Sequence, residues 1–275
     1  MPVISTNYAA LRAQTFLNNN SGKEASLIGK LASGSRIVQA MDDAAGLAIG
    51  VQLQSNAVVF SQDQTNVSQG SSILQSADGA LAQISNVLQR MMALATEAAS
   101  GQVTNTQRSQ DINTEYGRLK TEIGSIVAST TYAGQVLLSG SFLSNTKFLV
   151  GTNSTSFVTV SVKAVNAATL LGTGSAGVAT EGAALKSMNA VNSAINTIAK
   201  DRAVIGAYES KFRFALQAIS PNAQNIAASA SVLLDSDVAQ VKSNLSATDV
   251  TTQSAVAALT QASQLPQELL RLIQS

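Results

Sequence analysis

The sequence predicts a mainly α protein. Long antiparallel helices bearing heptads form a rod, and a small β-hairpin stands at its tip. Three observations predict this. The three prolines are Pro2, Pro221 and Pro266, so none falls between residues 3 and 220, where average usage would place about ten. Proline inside a helix costs about 3 kcal/mol, so the gap suits long uninterrupted helices. Two sets of apolar residues recur at seven-residue intervals, one in each half of the chain. Between them the texture turns β-branched and glycine-rich.

The elements follow in order. Residues 3–32 read as an amphipathic helix through Ile4, Tyr8, Leu11, Leu27, Ile28 and Leu31. Ser33-Gly34-Ser35 breaks it. Asp42 and Asp43 open the second helix, where acids complement the free N–H groups and the helix dipole. That helix runs to about Ser100. Its seam has Val67, Leu74, Leu81 and Leu88 with Ala95 in one row, and Ala77, Ile84, Met91 and Ala98 in the other. At about 1.5 Å per residue it is roughly 85 Å long.

Ser100-Gly101 ends the second helix, and a third follows over about 105–129 through Ile112, Leu119, Ile123 and Ile126. Val136-Leu137-Leu138 and the stretch 148–162 read as the β-hairpin region (about 136–165), with a turn at Gly151-Thr152-Asn153-Ser154. Residues 164–180 read as a loop. A second seam then spans about 181–220: Val191, Ile198, Ile205, Phe212 and Ile219, flanked by Met188, Ile195 and Leu216. Pro221 marks a break or kink. A last helix is expected over about 225–272 through Val238, Val241, Leu245, Val256, Leu259, Leu269 and Leu272, with Pro266 near its end. Helices, β insert, helices: the economical arrangement pairs the halves antiparallel, with both termini at one end.

Composition excludes much chemistry. With no His and no Cys, no ordinary zinc, copper, haem or iron–sulfur site can form, and neither a Ser-His-Asp nor a Cys-His catalytic centre is available. No catalytic, metal-binding or cofactor-binding residue is assigned, and the chain reads as no enzyme. A net charge of +1 argues against nucleic-acid binding by phosphate neutralisation, and it permits self-association. The longest apolar runs fall short of a membrane span. The N-terminus lacks the pattern of a secretory signal, so export would need another route.

Two patterns invite chemistry and are read otherwise. Gly172-Thr173-Gly174-Ser175-Ala176-Gly177 matches G-x-G-x-x-G, but Val160-Ser161-Val162 is ten residues upstream and no acid stands where a ribose partner belongs. A flexible loop is the reading. Asp42-Asp43 are adjacent on a helix and so do not share a face; capping is the reading. Asn153-Ser154-Thr155-Ser156 forms an exposed turn that could carry glycans.

The terminal helices are rich in Ala, Ser, Gln and Asn. Burying alanine yields little at about 25 cal/mol per Å², against an ordering cost of about 1–2 kcal/mol per residue. They are expected to be marginal alone and to fold on contact with neighbours.

Taken together, the segments resemble bacterial flagellin over nearly the whole chain. The resemblance is carried by Ile4-Ser5-Thr6-Asn7 with Ala10-Leu11, by Leu31-Ala32-Ser33-Gly34-Ser35-Arg36-Ile37, and by Asp42-Asp43-Ala44-Ala45-Gly46-Leu47-Ala48-Ile49. It continues in Ser76-Ala77-Asp78-Gly79-Ala80-Leu81, Leu88-Gln89-Arg90, Phe148-Leu149-Val150-Gly151, Asp201-Arg202-Ala203-Val204-Ile205-Gly206-Ala207 and Gln261-Ala262-Ser263-Gln264-Leu265-Pro266-Gln267. The chain departs from the family at Glu209-Ser210-Lys211-Phe212 and Ser231-Val232-Leu233, and it lacks the large variable outer domains. It looks like a short flagellin.

The resemblance implies a subunit that polymerises into the flagellar filament. Residues 1–41 with 226–275 would form the inner coiled-coil domain, and 42–225 the rod. The segment 137–162 would take part in the switching that sets supercoil. The implied location is the extracellular flagellum, reached unfolded through the flagellar type III path, with assembly at the distal tip beneath a cap. Implied partners are further copies of itself, the cap, hook-associated junction proteins, an export chaperone, the export apparatus and other flagellins. A host innate receptor is also implied, through Gln89, Arg90, Leu94 and Glu115; Met92 and Ala93 depart from that pattern. The alternatives are a hook–filament junction protein and, in another class, a helical-bundle enzyme or ligand-binding module.

Overall fold

A computed structural model describes residues 7–153, 155–172 and 177–274. The parts of the sequence reading that rest on Pro2, Ile4, Ser154 and Thr173–Ala176 lie outside the described residues, as do the side chains of Pro266, Leu269 and Leu272. The helices are α1 (Tyr8–Ser33), α2 (Ala44–Ala99), α3 (Asn105–Gln107), α4 (Asn113–Ser129), α5 (Ala167–Leu171), α6 (Glu181–Leu234) and α7 (Val238–Gln274). A π-helical turn, Arg108–Ile112, joins α3 to α4. The strands are β1 (Thr131–Tyr132), β2 (Gln135–Val136), β3 (Thr146–Leu149) and β4 (Phe157–Val160).

Two compact units result: residues 56–224, and residues 1–55 with 225–275. In the first, α2 and α6 run antiparallel. Arg202 meets Asp78, and Gly70 is so close to Phe212 that a Cβ there would stand 2.9 Å from the ring; the partner number rises as the other falls. The contiguous hydrophobic core spans residues from Val67 to Ile219 and lies wholly in this unit. In the other unit α1 packs along α7. No residue of α1 is buried.

The β-hairpin expected within about 136–165 is there as β3 with β4, and a second hairpin precedes it. Two separate antiparallel hairpins form, β1 with β2 and β3 with β4. The first turns tightly through Ala133 and Gly134, both at positive φ. Leu137 and Leu138 belong to no strand; they are core side chains. The expected loop over 164–180 contains α5, whose start is fixed by reciprocal bonds between Asn166 and Thr169.

The C-terminal half also departs from expectation. Pro221 does not end a helix: α6 passes through it to Leu234. The carbonyl that a proline leaves without its donor belongs to Gln217, an exposed residue. The break falls instead at Asp235–Asp237. There the Asp237 carboxylate accepts the Gln240 amide at 3.1 Å and starts α7.

Candidate functional site

The return between α1 and α2 is built on the end of α6. Helix α1 stops at Gly34, in the left-handed conformation. The next residues then satisfy the last carbonyls of α6, which have no partner within that helix. Arg36 N donates to Leu234 O at 2.7 Å, the Ser35 hydroxyl donates to the same oxygen at 3.1 Å, and Arg36 Nε donates to Leu233 O at 3.1 Å. Ser236 N returns a bond to Gly34 O at 2.9 Å. The Arg36 cation also suits the negative end of the helix dipole, and it lies 3.7 Å from Asp43.

The two aspartates divide their work, which corrects the expectation that both open α2. Asp43 accepts the Gly46 amide at 2.8 Å and caps the helix. Asp42 accepts Val38 N at 3.2 Å and Gln39 N at 3.1 Å and closes the loop. The glycines of Asp43-Ala44-Ala45-Gly46-Leu47-Ala48-Ile49-Gly50 follow from close approach. A Cβ on Gly46 would overlap the capping carboxylate of Asp43, and one on Gly50 would stand 2.5 Å from Leu234 Cδ2.

In the unit of residues 56–224, Val67, Leu74, Leu81 and Leu88 on α2 and Val191, Ile198, Ile205, Phe212 and Ile219 on α6 are all buried. Their seven-residue spacing sets them along one edge of each helix. Arg202 Nε and Nη2 meet the two oxygens of Asp78 at 2.8 and 3.1 Å, and this hydrogen bond holds the guanidinium above its ordinary pKa. Phe148 packs edge-on against Phe212, with ring centroids 5.3 Å apart, and so ties β3 to the seam.

The four residues set out for receptor contact divide between surface and core. Arg90 pairs with Glu115 at 2.7 Å, and both are largely exposed. Gln89 is exposed, whereas Leu94 is a core residue, 2% exposed.

Sequence reasoning missed three charged residues that the structure buries. Arg108, 5% exposed, donates from Nε to Ala98 O at 2.6 Å, from Nη2 to Ser100 O and Val103 O at 3.1 Å each, and from Nη1 to Asn105 Oδ1 at 2.8 Å. It closes the C-terminal end of α2 and the turn that follows. No seven-residue row marks it; its only signal is a basic residue soon after Ser100-Gly101. Asp63 and Asp201, 1% and 8% exposed, each keep one buried carboxylate oxygen without a hydrogen-bond partner. Burial raises both carboxyls above the ordinary value of 3.8, and Lys163 lowers Asp201 in part. Their signal was present in the heptads: the row of Ala77 and Ile84 counted backwards passes Gly70 to Asp63, and Ser187, Ala194 and Asp201 are likewise seven apart.

In the unit of the chain ends, apolar side chains face outward. Tyr8, Leu11 and Phe16 on α1 are exposed, as are Ile49, Val232 and Val250, and Met41 is 86% exposed. Beside Met41 a groove of about 360 Å³ is lined by Gly22, Ala25, Ser26, Gly29, Val38, Gln39 and Asp42. One 18-residue stretch of α2 has a mean hydropathy of 1.2, long and apolar enough by length and composition to cross a membrane, with 11% of it buried. Counting continuous apolar runs overlooked it, because Gln, Ser and Asn interrupt the run without adding charge. Among the described residues no group of three or more acidic side chains is placed to hold a metal. The glycine motif at 172–177 follows the short helix α5 rather than a strand, so the strand–turn–helix context of a nucleotide site is not there.

Known proteins match along the whole length. The family model of the bacterial flagellin N-terminal helical region matches residues 4–143, and that of the C-terminal helical region matches 188–273. The flagellar filament 30.7 kDa core protein of Treponema maltophilum is 29% identical, over 98% of this chain and 99% of its own length. The flagellin of Listeria monocytogenes is also 29% identical, over 99% of both. The crystal structure of Bacillus cereus flagellin superposes with a TM-score of 0.51 at 28% identity, covering 60% of this chain and 94% of that one.

Proposed function

The chain belongs to the bacterial flagellin family, and from that premise we infer how this subunit builds a filament. It is a structural subunit of the flagellar filament. The relatives named above are flagellins and a filament core protein, which favours this over the hook–filament junction protein. Flagellins are structural proteins, and the reading of this chain as no enzyme rests on that kinship.

The observation that carries the assembly reading is the contrast in burial. The contiguous hydrophobic core belongs to residues 56–224, while α1 has no buried residue and exposes Tyr8, Leu11 and Phe16. Exposed aromatic and aliphatic side chains on a paired helix are surface awaiting a partner, and in a homopolymer that partner is the next copy. Residues 1–41 with 226–275 form the inner domain in this reading, and 42–225 the outer one. The hairpins and their flanks, 137–162, serve the contacts that switch supercoil.

The filament places the protein on the extracellular surface. Export unfolded through the flagellar type III path, with an export chaperone, would precede assembly at the distal tip beneath the cap and beyond the junction proteins. Co-assembly with other flagellins fits the same surfaces. For a host innate receptor, the available face is Gln89 with the Arg90–Glu115 pair; Leu94 contributes by holding that face from beneath.

Seeded polymerisation tests this. The full chain should form long tubes, and variants lacking residues 1–30 or 246–275 should not, while circular dichroism still shows helical residues 56–224. Normal filaments from either truncation would overturn the assignment of assembly to the chain ends.

A further inference from the structure

Asp63 is isolated in an unusual way. No charged residue lies between Asp43 and Asp63, none between Asp63 and Asp78, and none on α6 between Arg213 and Asp235. The side chain is nonetheless buried, and one of its oxygens has no hydrogen-bond partner. It occupies the seam itself, fourteen residues before Ala77 on the same heptad row. Carried seven residues along both helices from the Gly70–Phe212 approach, the antiparallel register sets it opposite Ile219.

Among the described residues, no cation on the packed elements is placed to compensate it. On α6 the nearest basic residues, Lys211 and Arg213, flank Phe212 and are exposed, and Arg213 donates to Ser210. On β3, Lys147 lies over the Phe157 ring, 5.8 Å from its centroid. An ionised carboxylate so placed has a buried oxygen, Oδ2, that no donor satisfies, a costly state; a protonated carboxyl is neutral and tolerable. Two residues beyond Ile219, Pro221 removes one backbone hydrogen bond from α6.

We propose that Asp63 is a proton-operated loose point in the α2–α6 seam. Protonated, it lets the seam close; ionised, it opens the seam locally so that water reaches its oxygens. The device lies among residues 56–224 and does not depend on the filament assignment.

Amide hydrogen exchange of the full-length monomer tests it, read at residues 56–70 and 212–224 from about pH 7.5 down to about pH 4 and corrected for intrinsic exchange. In the wild type, protection should rise as pH falls through the raised carboxyl value and level off near the ordinary value of 3.8. Asp63→Asn and Asp63→Leu should be protected and insensitive to pH, while Asp111→Asn, at an exposed acid, should behave as wild type. A pH response that survives in both Asp63 variants would overturn the proposal. So would low protection at neutral pH, or failure to fold, in both variants, since either result would show that the ionised carboxylate supports the seam.

Discussion

Arg202 grips Asp78 with two prongs, Nε on Oδ1 at 2.8 Å and Nη2 on Oδ2 at 3.1 Å, and so joins α6 to α2 across 124 residues of sequence. The bond fixes register. A slide of either helix by one residue would part the fork and also move Phe212 off Gly70. Both side chains are about a third or more exposed, which limits the energy to about 0.5–1 kcal/mol. Arg202→Leu should lower the melting temperature modestly. Arg202→Lys should recover only part, since an ammonium cannot make the parallel pair of bonds. A double-mutant cycle with Asp78→Asn measures the coupling; a value of zero would show that apolar packing alone sets register.

Arg108 should matter far more, although it has no carboxylate partner among its bonds. Its guanidinium satisfies Ala98, Ser100 and Val103 carbonyls from a nearly buried position. Arg108→Gln leaves most of them without a donor, and a loss of about 2–3 kcal/mol is expected. Denaturant unfolding gives the loss. Limited proteolysis should show faster cutting within residues 100–107.

These two arginines mark what could be read from sequence and what could not. Val67 to Leu88 and Val191 to Ile219 announce their burial, because seven-residue spacing maps directly onto one helix edge. Asp43 was legible as a cap for the same local reason. Arg108 was not, because three of its four partners are backbone carbonyls, which carry no residue identity. Pro221 misled in the opposite sense: a proline penalty is local, and an exposed carbonyl on a long, otherwise well-packed helix absorbs it. The end of α6 was set by Asp235–Asp237 and by its docking with Ser35 and Arg36, a contact between distant segments.

The Gly50 site offers a test of that docking. A Cβ at Gly50 meets Leu234 at 2.5 Å, so Gly50→Ala forces the two helices apart or Leu234 out of its rotamer. Overpacking of this kind costs about 1–3 kcal/mol. The helical content of residues 56–224 should be unchanged while seeded polymerisation slows or stops. Gly79→Ala is the control, since nothing lies within 4 Å of its Cβ position; ordinary α-helix propensity makes it neutral or mildly stabilising. Equal effects from the two substitutions would remove the close approach as the reason for the glycine.

Asp201 gives a pH dependence whose sign can be worked out. Burial raises its carboxyl above 3.8 in the folded chain, with Lys163 pulling the other way. Below 3.8 the group is protonated folded or unfolded and contributes no difference. As pH rises, the unfolded chain ionises first, so the folded state loses relative stability until its own raised pKa is passed. Asp201→Asn should therefore be more stable than wild type at neutral pH, because the neutral amide carries no charge to desolvate. The advantage should vanish as pH falls towards 3.8. Lys163→Met removes the compensating cation, so the gap between Lys163→Met and the double variant Lys163→Met/Asp201→Asn should exceed that between wild type and Asp201→Asn at neutral pH. Urea unfolding of the four variants at several pH values checks this; a gap indifferent to Lys163 would mean that its charge does not reach Asp201.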